Sequence, residues 1–242
     1  MPTKIEWTNE TWNPITGCTP ISIGCQNCYA RRAAYSGRLR GRFGYPKDNP
    51  FAVTWHPRRI DRPVHWHKPR RIFVCSMGDL MHEDVKSAWI DWIIGVMTRT
   101  PRHTYQILTK RANRLRDFAW PSNAWVGVTV EHPDYLDRIE VLGEVSAPLR
   151  FVSFEPLLAP MPMDLGVRLL NARIAWCIVG AETGPGKRPM ENAWARDIKF
   201  ACHAAPLPQQ WPRFFFKRNS AGTRMLYGRT YDERPDSGGN HR

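Results

Sequence analysis

Six short, uninterrupted apolar runs, each followed by a polar loop and then a helical or irregular stretch, most constrain how this chain folds. The runs are Ile72–Cys75, Thr104–Leu108, Trp125–Val130, Arg150–Phe154, Ile174–Val179 and Phe214–Phe216. None alternates apolar with polar residues, the pattern expected of strands covered on both faces of a parallel sheet. Between the first two lies the segment 82–100, where Val85, Trp89, Trp92, Ile93 and Val96 recur at helical spacing and predict one buried helix face. Further helices are predicted over Arg111–Ala119, Pro133–Leu142 and Ala193–Ala204. Strands alternating with helices imply a parallel sheet with right-handed crossovers. The expected fold is α/β, a partial (β/α)6-type parallel barrel formed by residues 1–228 as a single domain.

In such folds active sites form at the carboxyl ends of strands. The residues there are Ser76–Asp79, Thr109–Arg111, Glu131–His132, Glu155–Pro156, Gly180–Gly184 and Lys217–Asn219. Loops are polar in general, but acids and lysines placed directly against strand ends are what a site on one rim requires. Within these loops Gly78, Asp79, Lys110, Glu155 and Glu182 are the candidate ligand-binding residues. GPGKRP at 184–189 predicts a tight, anion-friendly loop with backbone N–H groups and Lys187 or Arg188 available to a phosphate. It lacks the spacing of a P-loop.

Six cysteines occur in 242 residues, and three of them, Cys18, Cys25 and Cys28, fall within eleven positions. The opening residues lack a basic segment followed by an apolar one, so no secretory signal points to an oxidising compartment, and no apolar run reaches the roughly 20 residues of a membrane span. A cytoplasmic protein with no membrane contact is expected. There, clustered thiols indicate a metal site rather than disulfides. The spacing C-x6-C-x2-C suits an iron–sulfur cluster, three thiolates holding three irons and leaving the fourth open. Structural zinc is the alternative and needs a fourth protein ligand. His65 and His67 are weak candidates for it, and spacing alone leaves both metals open. Cys75, Cys177 and Cys202 fall within predicted strands or a helix and are expected as core thiols.

The formal net charge is +13, which favours polyanionic partners, whether as substrate or by nonspecific association. Much of that charge lies in a Pro- and Arg-rich excursion at about 38–71, with ten Lys and Arg against two Asp, a local excess of +8. One reading is contact with DNA or RNA, its cations on phosphates and Phe43, Tyr45, Trp55 or Trp66 on bases. The other is a solvated loop whose aromatics pack inward. The polar stretch 229–242 is expected as a disordered tail.

Three close cysteines ahead of a β/α chain resemble the radical S-adenosylmethionine superfamily. The chain is more closely similar to a phage- and bacterium-associated three-cysteine-motif family of unassigned activity related to it. The resembling pieces are Trp12–Cys18, Cys25 with Cys28–Ala30, TWHPRR at 54–59, PRRIFVCSMGDLMHEDV at 69–85, LTKR at 108–111, VSFEPLL at 152–158, IVGAETGPGKRPM at 178–190 and FFFKR at 214–218. Within the superfamily, the Gly-Asp and Thr-Lys segments look most like the spore photoproduct lyase branch. The resemblance implies a [4Fe–4S] cluster on Cys18, Cys25 and Cys28, S-adenosylmethionine as cofactor, an external electron donor, and a radical-type reaction; taken with the strand-end acids and the basic surface, the expected activity is modification or repair of nucleic acid. Gly78 and Asp79 would face the methionine amino group, while Lys110, Glu155 and Glu182 would hold the ribose, the methionine carboxylate or the substrate. It names no catalytic residue. The spacing departs from the common C-x3-C-x2-C, and Asn27 replaces the usual aromatic before the last cysteine. The alternative function is a non-catalytic nucleic-acid-binding protein stabilised by iron–sulfur or zinc.

Overall fold

The computed structural model describes residues 3, 5–204 and 207–235. Its strands are β1 (Glu10–Trp12), β2 (Ile15–Thr16), β3 (Thr54–Trp55), β4 (Arg71–Val74), β5 (Thr104–Thr109), β6 (Ala124–Thr129), β7 (Leu149–Phe154), β8 (Ile174–Gly180), β9 (Arg213–Arg218), β10 (Met225–Leu226) and β11 (Arg229–Thr230). The α-helices are α1 (Tyr29–Tyr35), α2 (Ser87–Arg99), α3 (Asp137–Glu144), α4 (Leu165–Asn171) and α5 (Asn192–Cys202). Seven strands follow the order β1-β4-β5-β6-β7-β8-β9. All six predicted strands are present, each within two residues of its expected ends. The short β1 was missed because Glu10 and Thr11 interrupt the apolar signal.

The chain divides into two compact units, Met1–Gly127 with Val145–Pro148, and Val128–Glu144 with Leu149–Arg242. In the first, β1 pairs parallel with β4 (Trp12 opposite Val74) and β4 with β5 (Ile72 opposite Tyr105). Trp12, Ile72, Val74, Tyr105 and Ile107 are buried, and the buried face of α2 is Ile90, Ile93, Val96 and Met97. That face shares Ile93 and Val96 with the predicted one and differs in the rest. The helix begins at Ser87, so Val85 belongs to the preceding turn, and Trp92 remains 57% exposed.

In the second unit, β8 pairs parallel with both β7 and β9 (Val152 opposite Cys177, Cys177 opposite Phe214). Phe151, Trp176 and Phe214–Phe216 fill the interior, and α5 buries Ala195, Ile198 and Cys202. Residues 229–235, expected within a disordered tail, have defined partners. β11 pairs with β10, Phe216 N–H donates to Tyr231 (2.8 Å), and Glu233 accepts from Phe214 N–H (3.1 Å). The physical reason is the edge of β9, whose backbone groups these residues satisfy. Residues 236–242 of that tail lie outside the described residues.

Among the described residues no helix is long and apolar enough to cross a membrane.

Candidate cysteine site

The cysteine segment lies against the turn that ends β4. That turn starts at Cys75, which is buried with φ +56°, a conformation costly for any residue with a Cβ. Two hydrogen bonds hold it there, Cys75 N–H to Trp12 (2.8 Å) and Gly78 N–H to Cys75 (2.9 Å). Cys75 was expected in a strand and is a buried thiol at the strand's exit.

Gly17 forms a parallel bridge to Gly78, its N–H donating to Met77 (2.9 Å). Neither glycine has room for a side chain. A Cβ on Gly78 would meet the Gly17 oxygen at 2.8 Å, and one on Gly17 (φ +91°) would meet the Ala52 oxygen at 2.0 Å. Three more bonds clamp the same turn: Asn13 Oδ1 accepts from Met77 N–H (2.9 Å) and Ser76 Oγ (3.2 Å), and the Tyr29 hydroxyl donates to the Ser76 carbonyl. The basic excursion is stitched in as well. Cys18 N–H donates to Phe51 (3.1 Å), β3 pairs antiparallel with β2, and Tyr45 and Phe51 form a small core with Ala30 and Ala34. Tyr45 is therefore not available to bases.

Asp79 follows the clamp. Its Oδ1 accepts from Thr109 Oγ1 (2.7 Å) and Met81 N–H (2.9 Å), while Oδ2 is held more lightly by Lys110 N–H (3.3 Å) and Arg111 Nη1 (3.5 Å). It organises its own turn and the end of β5, well ahead of α2. Arg111, which sequence reasoning passed over in favour of Lys110, is the hub. Nη1 lies 3.3 Å from Cys18 Sγ, Nη2 reaches Thr19 Oγ1 (2.9 Å) and its carbonyl (3.0 Å), and Nε pairs with Glu83 (2.7 Å). Thr19 Oγ1 also meets Nε2 of buried His82 at 2.8 Å. The available signal was Arg111's place one residue past a lysine at a strand end.

The three cysteines are free thiols of intermediate exposure. Cys18 and Cys28 pack against the Ala30–Tyr45 core beside Met77. Burial, then Asp79, pushes the Cys18 thiol up to about 12 against the opposing pull of Arg111. Burial also acts upward on Cys25, but hydrogen bonds at Ser22 and Ile21 and the Lys110 ammonium outweigh it and leave that thiol below its ordinary value. Cys18 and Cys25 are near enough for their charges to interact. Among the described residues no group of three or more His, Cys, Asp or Glu gathers as a site for a metal ion. In donor chemistry the set suits an iron–sulfur core: three soft, accessible thiols on one segment, beside backbone too close for side chains.

Glu155 and Glu182 belong to the second unit, and each is already committed. Glu155 pairs with Lys217 (2.9 Å), and Glu182 accepts Arg188 N–H (2.8 Å) and Nε (2.9 Å). Lys187, expected to be available to a phosphate, donates to the Ser220 carbonyl (2.6 Å). Glu131, fully buried, pairs with Arg138 at 3.0 Å. Cys177 and Cys202 are core thiols as expected.

Fold and site together define an α/β protein with a parallel sheet and a three-cysteine segment at a strand's carboxyl end. The chain belongs to the family described as "Protein of unknown function (DUF5131)", whose model matches residues 2–235. A comparison with curated proteins finds no match. Among solved structures it is similar to a spore photoproduct lyase complexed with dinucleoside spore photoproduct, with TM-score 0.50 and 10% identity over 81% of this chain. This chain spans 62% of that lyase chain. The likeness shows the fold, the expected partial parallel α/β barrel.

Proposed function

We propose that the chain is an iron–sulfur, S-adenosylmethionine-dependent enzyme of the radical type that acts on nucleic acid. The observation that supports it most is the Gly17–Gly78 bridge, which sets the first cysteine beside the turn that the superfamily resemblance assigns to the methionine amino group. Cys18, Cys25 and Cys28 would hold three irons of a [4Fe–4S] cluster and leave the fourth open. When bound, such a cluster supplies single electrons to a sulfonium, drawn from an external donor.

The chain's own residues prepare that setting. Gly17 and Gly78 allow two backbone segments to lie closer than any side chain permits. Thr109 and the Met81 N–H fix the Asp79 carboxylate, and its lightly held Oδ2 keeps acceptor capacity for an ammonium group. Arg111 holds Thr19 and Glu83, anchoring the loop that follows Cys18. The +13 charge supports a polyanionic substrate.

Anaerobic reconstitution followed by dithionite and S-adenosylmethionine tests this reading. The expected result is about four irons per chain and release of 5′-deoxyadenosine, with Cys18→Ala, Cys25→Ala and Cys28→Ala each losing iron and Cys177→Ala retaining it. An intact cluster that yields no 5′-deoxyadenosine would overturn the enzyme. One zinc and no iron would leave a metal-stabilised nucleic-acid-binding protein.

A further inference from the structure

Trp55 and two tryptophans of α2, more than thirty positions further along the chain, meet on the surface of the first unit. Trp55 of β3 stacks on Trp89 with ring centroids 5.3 Å apart and planes 9° apart, and on Trp92 at 6.1 Å and 21°. Trp89 and Trp92 stand three positions apart in α2, hence on neighbouring turns of one flank. The helix buries Ile90, Ile93, Val96 and Met97 instead, so core packing does not account for the stack. Trp92 is 57% exposed, and Trp55 and Trp89 are half-buried. Large aromatics left wet in a cluster mark a binding surface more often than scattered ones do.

The surroundings are cationic. The Lys86 ammonium sits 5.6 Å over the Trp89 ring. The chain continuing from Trp55 to residue 71 carries six Lys and Arg against the single Asp61, with Arg58 and Arg62 exposed. Asp61 itself pairs with Arg99 at 3.9 Å. Flat apolar rings beside positive charge match the chemistry of bases beside phosphates. Bases inside a duplex are stacked on one another, so a surface of this kind takes a single strand.

We propose that Trp55, Trp89 and Trp92 form a stacking platform for the bases of single-stranded nucleic acid, with Lys86, Arg58 and Arg62 serving its phosphates. The inference rests on nucleic acid as the partner and is independent of the cysteine site.

The test is fluorescence anisotropy of the full chain with a labelled oligothymidylate of about 16 nucleotides, the upper site size of a single binding fold. Wild type binds with an affinity that falls as salt rises. Trp92→Ala weakens binding about tenfold or more, with a melting temperature lowered only slightly by the lost stack on Trp55, and Trp92→Phe recovers most of the loss. Binding by Trp92→Ala equal to wild type would overturn the proposal, as would wild type that ignores the oligonucleotide or binds only vesicles of anionic phospholipid. Protein with and without reconstituted iron is assayed side by side. Oligonucleotide binding without 5′-deoxyadenosine release leaves the platform standing and the enzyme rejected; the reverse rejects only the platform.

Discussion

Arg111 places one guanidinium nitrogen 3.3 Å from the sulfur of Cys18, while its other nitrogens are anchored on Thr19 and Glu83. A cation fixed beside a cluster ligand favours the more negative, reduced state. Arg111→Ala should therefore lower the midpoint potential of the reconstituted cluster in an electron-paramagnetic redox titration. Arg111→Lys should not restore it, because an ammonium cannot serve three partners in the geometry of a planar fork. An unchanged midpoint in both variants would show that the contact does not survive cluster binding.

Gly78→Ala forces a methyl to within 2.8 Å of the Gly17 oxygen. The two segments must part, at a cost of about 1–3 kcal/mol. Urea unfolding should show that loss together with poorer retention of iron. Gly37→Ala, whose Cβ meets nothing within 4 Å, serves as the control and should change neither.

His56 is held at about 4 by burial and then by Arg59, against an ordinary value of 6.5. The unfolded chain takes up a proton at 6.5 that the folded chain refuses. The stability it contributes is therefore complete above pH 6.5 and lost as pH falls toward 4. The loss is on the order of 2 kcal/mol after allowance for solvent screening. His82, His103 and His203 are lowered as well and act in the same direction. Melting temperature should drop across this window, and His56→Gln, which keeps an acceptor or donor near Thr16 Oγ1, should flatten the drop. Parallel curves for the two proteins would show that His56 takes no part.

The Glu131–Arg138 pair is almost fully buried in the second unit. Arg138→Met leaves a carboxylate inside the protein without that cation, a change that typically costs about 3–5 kcal/mol. Glu131→Gln keeps a hydrogen-bonding shape, and Arg138 retains the Thr129 carbonyl at 2.7 Å, so its cost should be smaller. Chemical denaturation ranks the two, and equal or reversed costs would refute the pairing.

Six of the seven strands of the sheet were legible because both of their faces are covered, which leaves continuous apolar runs. Helix faces were less so. Trp92 fits the apolar period of α2 yet stays exposed, since hydropathy cannot distinguish a core tryptophan from one stacked on Trp55. The candidate site was legible as residue types. Cys18, Cys25 and Cys28 announce themselves by spacing, while Arg111 carries no such mark, because its importance comes from reaching residues 92 or 93 positions away.

The sequence by itself determined the α/β class, the positions of six strands and the clustered thiols, because each is written in neighbouring residues: local hydropathy, β-branched and aromatic runs, and close cysteine spacing. Only the tertiary structure decided that Gly17 meets Gly78, that Asp79 is held by Thr109, that Glu155 and Glu182 are already paired, and that three tryptophans share one stack. Those contacts join segments far apart along the chain, and their geometry follows from how the strands and helices pack rather than from any local pattern.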